Sequence, residues 1–221
     1  MEKKAEDLND LGLEELTQGH FEEALKLFQQ AIEADESYAR PYCNIGNLLA
    51  ATGNEDDAVQ WFTRAIQLNP GLELAYYGLG NSYFNAGNYE AARVAFEKAK
   101  EKGMKHHDLD FMIAMAYMQS EQLDRAVQFF DACLSVEPED AEAYFHKGMC
   151  LARLNRIGEA RDAFLKTLEI TPDHDDALFN SGVAYGFLGQ MEEAKQHFER
   201  CLSINPRHIL AQNALAEINK A

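Results

Sequence analysis

Seven histidines and four cysteines are the side chains with the most chemistry to offer. The densest cluster is His106-His107-Asp108 with Asp110, a set of metal-ligand types. Neighbouring side chains on a helix point about 100° apart, so adjacent histidines do not converge on one ion. His174-Asp175-Asp176 reads as a helix start, where acids complement the N-terminal dipole. His146 stands alone, and acid–base catalysis needs an oriented partner. Cys43, Cys133, Cys150 and Cys201 lie 90, 17 and 51 residues apart with no CxxC pair, which matches no metal-ligand spacing. No P-loop and no dinucleotide glycine motif occurs. The expectation is a non-enzymatic protein with no catalytic residues, no metal and no cofactor.

The elements that must carry these residues belong to a chain of 221 residues with net charge −17 and 47% hydrophobic residues. That hydrophobic content suffices for a core. The acidic balance excludes a nucleic-acid binder, which needs a basic patch. Residues 1–38 carry net −8 and residues 107–174 net −7, mostly a solvated outer face or a field that steers a cationic partner. No apolar stretch approaches the roughly 20 residues of a membrane span. Met1 to Asp7 lacks the apolar core of a secretory signal, so the cysteines are expected to be reduced thiols in a cytoplasm.

A strict repeat organises the sequence. Ala24, Ala58, Ala92, Ala126, Ala160 and Ala194 are 34 residues apart, each followed four residues later by phenylalanine. Gly12, Gly46, Gly80, Ala114, Gly148 and Gly182 keep the same spacing, and Pro70, Pro138, Pro172 and Pro206 share another phase. The period defines six units, 5–38, 39–72, 73–106, 107–140, 141–174 and 175–208, after an N-terminal tail at 1–4. Each unit reads as two helices. In the third, a stripe through Tyr76, Leu79, Tyr83 and Phe84 ends at Gly87-Asn88, and a second stripe runs from Tyr89 to Ala99. Gly87 suits a left-handed helix end and Asn88 an N-cap. The small residues at Gly46 and Ala58 let two helices approach while Phe62 fills the gap. One hairpin cannot bury both faces, so stacking must complete the core. Residues 209–221 read as a capping helix that packs Ala211, Leu215 and Ile218 and turns Gln212, Glu217 and Lys220 to water.

Tyr76-x2-Leu79-Gly80-x2-Tyr83 followed by Ala92-x3-Phe96-x2-Ala99 resembles the tetratricopeptide repeat (TPR) motif, and the likeness covers residues 5–208. In scale the chain is similar to small stand-alone bacterial members. The resemblance implies an all-α fold, a right-handed α-solenoid superhelix of six helix-turn-helix repeats plus the cap. It also implies that the first helix of each pair lines a concave groove that holds an extended peptide or partner helix. Departures concentrate at 100–110, where the third unit lacks its proline, and in the fourth unit, with Ala114 and Glu121 in place of glycines.

The groove positions that the resemblance supplies are filled by three residue kinds. Asn44, Asn47, Asn81, Asn85 and Asn180 are amides; Tyr77, Phe84, Phe111, Phe145 and Phe179 are aromatics. Met112, Met115, Met118 and Met149 are thioethers, joined by His146 and Val183. An asparagine donates to and accepts from a peptide bond of any sequence. Aromatics and adaptable methionines offer apolar seats. Each buried apolar side chain contributes about 1.5–3 kcal/mol and each hydrogen bond about 0.5–1.5 kcal/mol; after the cost of ordering a flexible peptide, affinity of about micromolar remains. The alternatives are that the rings belong to the core, that the amides are ordinary solvated surface, or that the stripe is an interface between copies. The leading expectation is therefore a protein or peptide partner, with no nucleic acid and no membrane. The alternative is a self-assembling scaffold whose groove receives a segment of another copy, which requires weak self-association. TPR co-chaperones that clamp acidic chaperone tails use a lysine at the fifth position of a repeat. The fifth positions here are Asn9, Cys43, Tyr77, Phe111, Phe145 and Phe179, so that function is rejected.

Overall fold

The computed structural model describes residues 2–105 and 108–219, with side chains from residue 4 onward; His106, His107 and Lys220 lie outside the described residues. Among the described residues the fold is all-α, with thirteen helices. The chain divides into two compact units, 1–109 and 110–221, and the division falls within a helix beside the irregular segment 100–110.

The first unit holds three helix pairs: α1 (Glu2–Thr17) with α2 (Phe21–Ala34), α3 (Ala39–Ala51) with α4 (Glu55–Leu68), and α5 (Glu73–Asn85) with α6 (Tyr89–Glu101). Helix α1 already begins at Glu2, so residues 2–4 are part of the first helix rather than a tail. Glu2, Lys3 and Lys4 are good helix formers and no breaker precedes Ala5. Each first helix packs on its own second helix, and each second helix on the next first helix. The helices within a pair are joined by three-residue turns that contain Gly19, Gly53 or Gly87, with φ of 81°, 78° and 77°. Asn88 caps α6 by accepting a hydrogen bond from the Ala91 N–H at 3.3 Å. Asn54 stands at the equivalent place, but its amide donates to the Thr52 hydroxyl instead.

Helix α7 (Asp108–Gln119) begins beside the division. The second unit continues with α8 (Leu123–Val136), α9 (Ala141–Arg153), α10 (Ile157–Ile170), α11 (Asp175–Phe187), α12 (Met191–Ile204) and α13 (Ile209–Ile218). Glu121 and Asn155 take the left-handed turn position at φ of 61° and 59°, where other repeats have glycine. Helices α8, α10 and α12 stop just before Pro138, Pro172 and Pro206, as α4 stops before Pro70. The lone α13 packs on α12. It buries Ala211 and rests Leu215 and Ile218 on the last core cluster, while Gln212 and Glu217 are exposed.

The core repeats with the sequence. Phe28, Phe62, Phe96, Phe130 and Phe164 are at most 1% exposed, Phe198 is 3% exposed, and the partner alanines are fully buried. The glycine opposite five of the six rings is required by space; the fourth repeat has Ala114 at that position. A β-carbon on Gly12, Gly46, Gly80, Gly148 or Gly182 would stand 2.5–2.9 Å from the ring of its own repeat. Gly78 is tighter still, at 2.4 Å from Phe62 of the preceding repeat.

Candidate functional site

The sixteen residues singled out from the sequence all lie on first helices. In the first unit Asn44 and Asn47 are on α3, and Tyr77, Asn81, Phe84 and Asn85 are on α5. Asn47 and Asn85 are exposed; the other four are half-buried. The amides are not equally available. Asn44 donates to the Oδ1 of buried Asn9 at 2.8 Å, and Asn85 donates to Glu55 Oε1 at 2.8 Å. Asn81 bonds the Tyr77 hydroxyl, whose pKa burial holds above its ordinary value. Cys43 faces inward and is 3% exposed, and burial pushes its thiol up to about 12, so it is no nucleophile.

In the second unit Phe111, Met112 and Met115 (α7), Phe145, His146 and Met149 (α9), and Phe179, Asn180 and Val183 (α11) are half-buried. Met118 corrects the expectation: it is 8% exposed and belongs to the core. A flexible thioether with no polar group to satisfy gains by turning inward. Asn180 spends its amide N–H on its own helix, donating to the Asp176 carbonyl at 2.8 Å.

The aromatic row is neither wholly core nor wholly groove. Tyr77, Phe111, Phe145 and Phe179 each lie against the core phenylalanine of the same repeat, with ring centroids 5.7, 5.7, 5.9 and 5.8 Å apart. In the last repeats the other neighbour is a histidine. His174 stands 4.7 Å from Phe145, and His208 stands 4.8 Å from Phe179. His174 is the N-cap of α11, as its sequence context indicates; His208 caps α13 in the same way. Their Nδ1 atoms accept from the Ala177 and Ala211 N–H groups at 3.2 and 3.1 Å. An Nδ1 that accepts leaves the ring proton on Nε2. Those Nε2 atoms approach Glu142 at 3.8 Å and Asp176 at 3.5 Å. Sequence reasoning missed His208 as a member of this face. The signal was there: His174 and His208 are 34 residues apart, as are Glu142 and Asp176.

Two arrangements resemble catalytic or metal sites, and geometry argues against both. Glu142 lies 3.8 Å from both His146 and His174. His174 carries its proton on the nitrogen that would have to ligate, and among the described residues no group of three or more His, Cys, Asp or Glu side chains is suited to hold a metal. His146 is driven below its ordinary pKa mainly by burial, against the pull of Glu142 and Asp140. The second arrangement is Ser181 with His197, 2.7 Å apart. Ser181 is fully buried and donates to the Leu178 carbonyl at 2.9 Å, so its oxygen cannot reach a substrate.

The helix pairs, with their repeating glycine–phenylalanine lock, define a helical-repeat scaffold. The chain belongs to the tetratricopeptide repeat family: models described as tetratricopeptide repeat match residues 9–73 and 111–175, 49–109, and 175–208. Proteins of this family are protein-interaction modules. The chain is similar to the crystal structure of YrrB, described as a TPR protein with an unusual peptide-binding site. That match has 34% identity, covers 85% of this chain and 96% of that one, and gives a TM-score of 0.78. A MamA structure is matched at 20% identity over 79% of this chain and 95% of that one (TM-score 0.73). PilF of Pseudomonas aeruginosa is matched at 15% identity over 97% and 98% (TM-score 0.77). The last two show the fold alone. No curated protein sequence gave a significant match. No described helix is long and apolar enough to cross a membrane.

Proposed function

We propose that this protein is a non-enzymatic interaction module that docks an extended, partly apolar peptide on its first-helix face. The observation that carries this reading is the composition of that face. Exposed Asn47 and the partly committed amides of Asn81 and Asn85 sit on the first unit, and half-buried thioethers and rings (Met112, Met115, Met149, Phe145, Phe179) sit on the second. Such a surface satisfies peptide N–H and C=O groups without reading sequence and offers shallow apolar seats. The description of YrrB as peptide-binding agrees with it. The four buried thiols suit a reducing compartment such as a cytoplasm.

The test is calorimetric binding of a peptide selected from a random library against the whole protein. Asn47→Glu probes the first unit and Met115→Glu the second; Phe145 is avoided because its ring also holds Phe164 and His174. Each variant is expected to weaken binding about tenfold, with circular dichroism unchanged. Wild-type affinity in both folded variants defeats the reading. A peptide-free dimer seen by light scattering would favour a second copy as the occupant.

A further inference from the structure

A separate apolar socket opens in the first unit, at the edge where first and second helices are joined by their turns. Its cavity of about 330 Å³ is lined by Phe21, Glu22 and Leu25 of α2 and by Leu48, Leu49, Ala51 and Thr52 at the end of α3. Phe21, at the first position of α2, is 61% exposed. Of these, only Ala51 shares the register of the candidate peptide-binding face, standing one repeat before Asn85.

Comparison with later repeats shows what keeps it open. The residues 34 positions on from Phe21 and Ala51 are Glu55 and Asn85. Those two hydrogen-bond each other at 2.8 Å and occupy the place. One repeat further the counterpart of Phe21 is Tyr89, whose ring is not left open but packs edge-on against Phe84 of its own repeat, with centroids 5.2 Å apart. Only a methyl group stands at Ala51, so the apolar walls face solvent, with room for one large side chain.

Glu22 lines the socket itself, and further acids open the two second helices on either side of α3. Glu22 and Glu23 open α2, and Glu55, Asp56 and Asp57 open α4. Segments 18–26 and 48–57 thus carry five carboxylates against one base, Lys26, which pairs with Glu23 at 3.0 Å. The acids lie at helix N-termini, which they stabilise as anions. We infer that this socket is a second docking site, at the edge of the first-helix face, for a cationic segment that inserts one bulky apolar side chain between α2 and α3 while its lysines or arginines meet Glu22 and the acidic helix starts nearby. Burial supplies affinity and charge supplies selection.

Fluorescence anisotropy with short labelled peptides tests this at physiological salt. The probes alternate lysine with leucine, glutamate with leucine, and lysine with serine. The lysine–leucine probe is expected to bind at least about tenfold tighter than either control. Ala51→Asn, which installs the amide that fills the next repeat, and Phe21→Ser, at an exposed position, are each expected to weaken it about tenfold while circular dichroism stays unchanged. Met115→Glu leaves it unaltered. The inference is overturned if the lysine–leucine probe does not bind, if a control binds equally, if both socket variants bind as wild type, or if Met115→Glu removes the binding.

Discussion

Ser82 is fully buried in α5, and its hydroxyl has no hydrogen-bond partner among the described residues. An unpaired buried hydroxyl costs about 1–3 kcal/mol in lost hydration, and alanine both removes it and favours the helix. Ser82→Ala is therefore expected to stabilise the protein by about 1 kcal/mol, read from the midpoint of urea unfolding; destabilisation would show that the hydroxyl is bonded. Two histidines make the opposite kind of demand. His146 and His197 have pKa values held below the ordinary 6.5, chiefly by burial. Each is neutral in the fold and takes up a proton more readily when unfolded. Their contribution is complete above the unfolded value and is lost as pH falls through it toward the lowered folded values. Stability should thus decline as pH drops below about 6.5, and His197→Gln should flatten that slope. A slope of the other sign would contradict the burial of these rings.

The unit of this fold is the helix pair locked by a phenylalanine against a glycine. A β-carbon on Gly80 would lie 2.5 Å from the Phe96 ring. Gly80→Val is expected to cost at least about 1–3 kcal/mol through overpacking, and adding Phe96→Leu should recover part of that loss. Additive losses in the double variant would separate the two residues. This lock was legible in the sequence because steric fit fixes both residue type and spacing. The turns were legible where glycine marks them; Glu121, a departure in the sequence, takes the same left-handed conformation in the structure. Less legible was where each polar side chain spends its hydrogen bonds. Asn44 turned to Asn9, Asn85 to Glu55 and Asn180 to its own helix. The first two choices depend on contacts across repeats that a single motif does not encode. Met118 went inward for the same kind of reason: position on a helix face specifies direction, while the local void decides burial.

At the scale of the molecule, identical locks carry a varied surface. The repeat holds the backbone and leaves first-helix residues free to differ, so the first unit presents amides and the second thioethers and rings. The histidine caps at His174 and His208 show the limit of that freedom, since they serve a helix end and cover a ring at once. The claim that these faces hold a partner chain is tested most directly by the methyl signals of the seven methionines during titration with a library-selected peptide. The signals of Met112, Met115 and Met149 are expected to shift together, with Met104 and Met191 unmoved. Shifts confined to Met104 or Met191, with the first three still, would contradict the account.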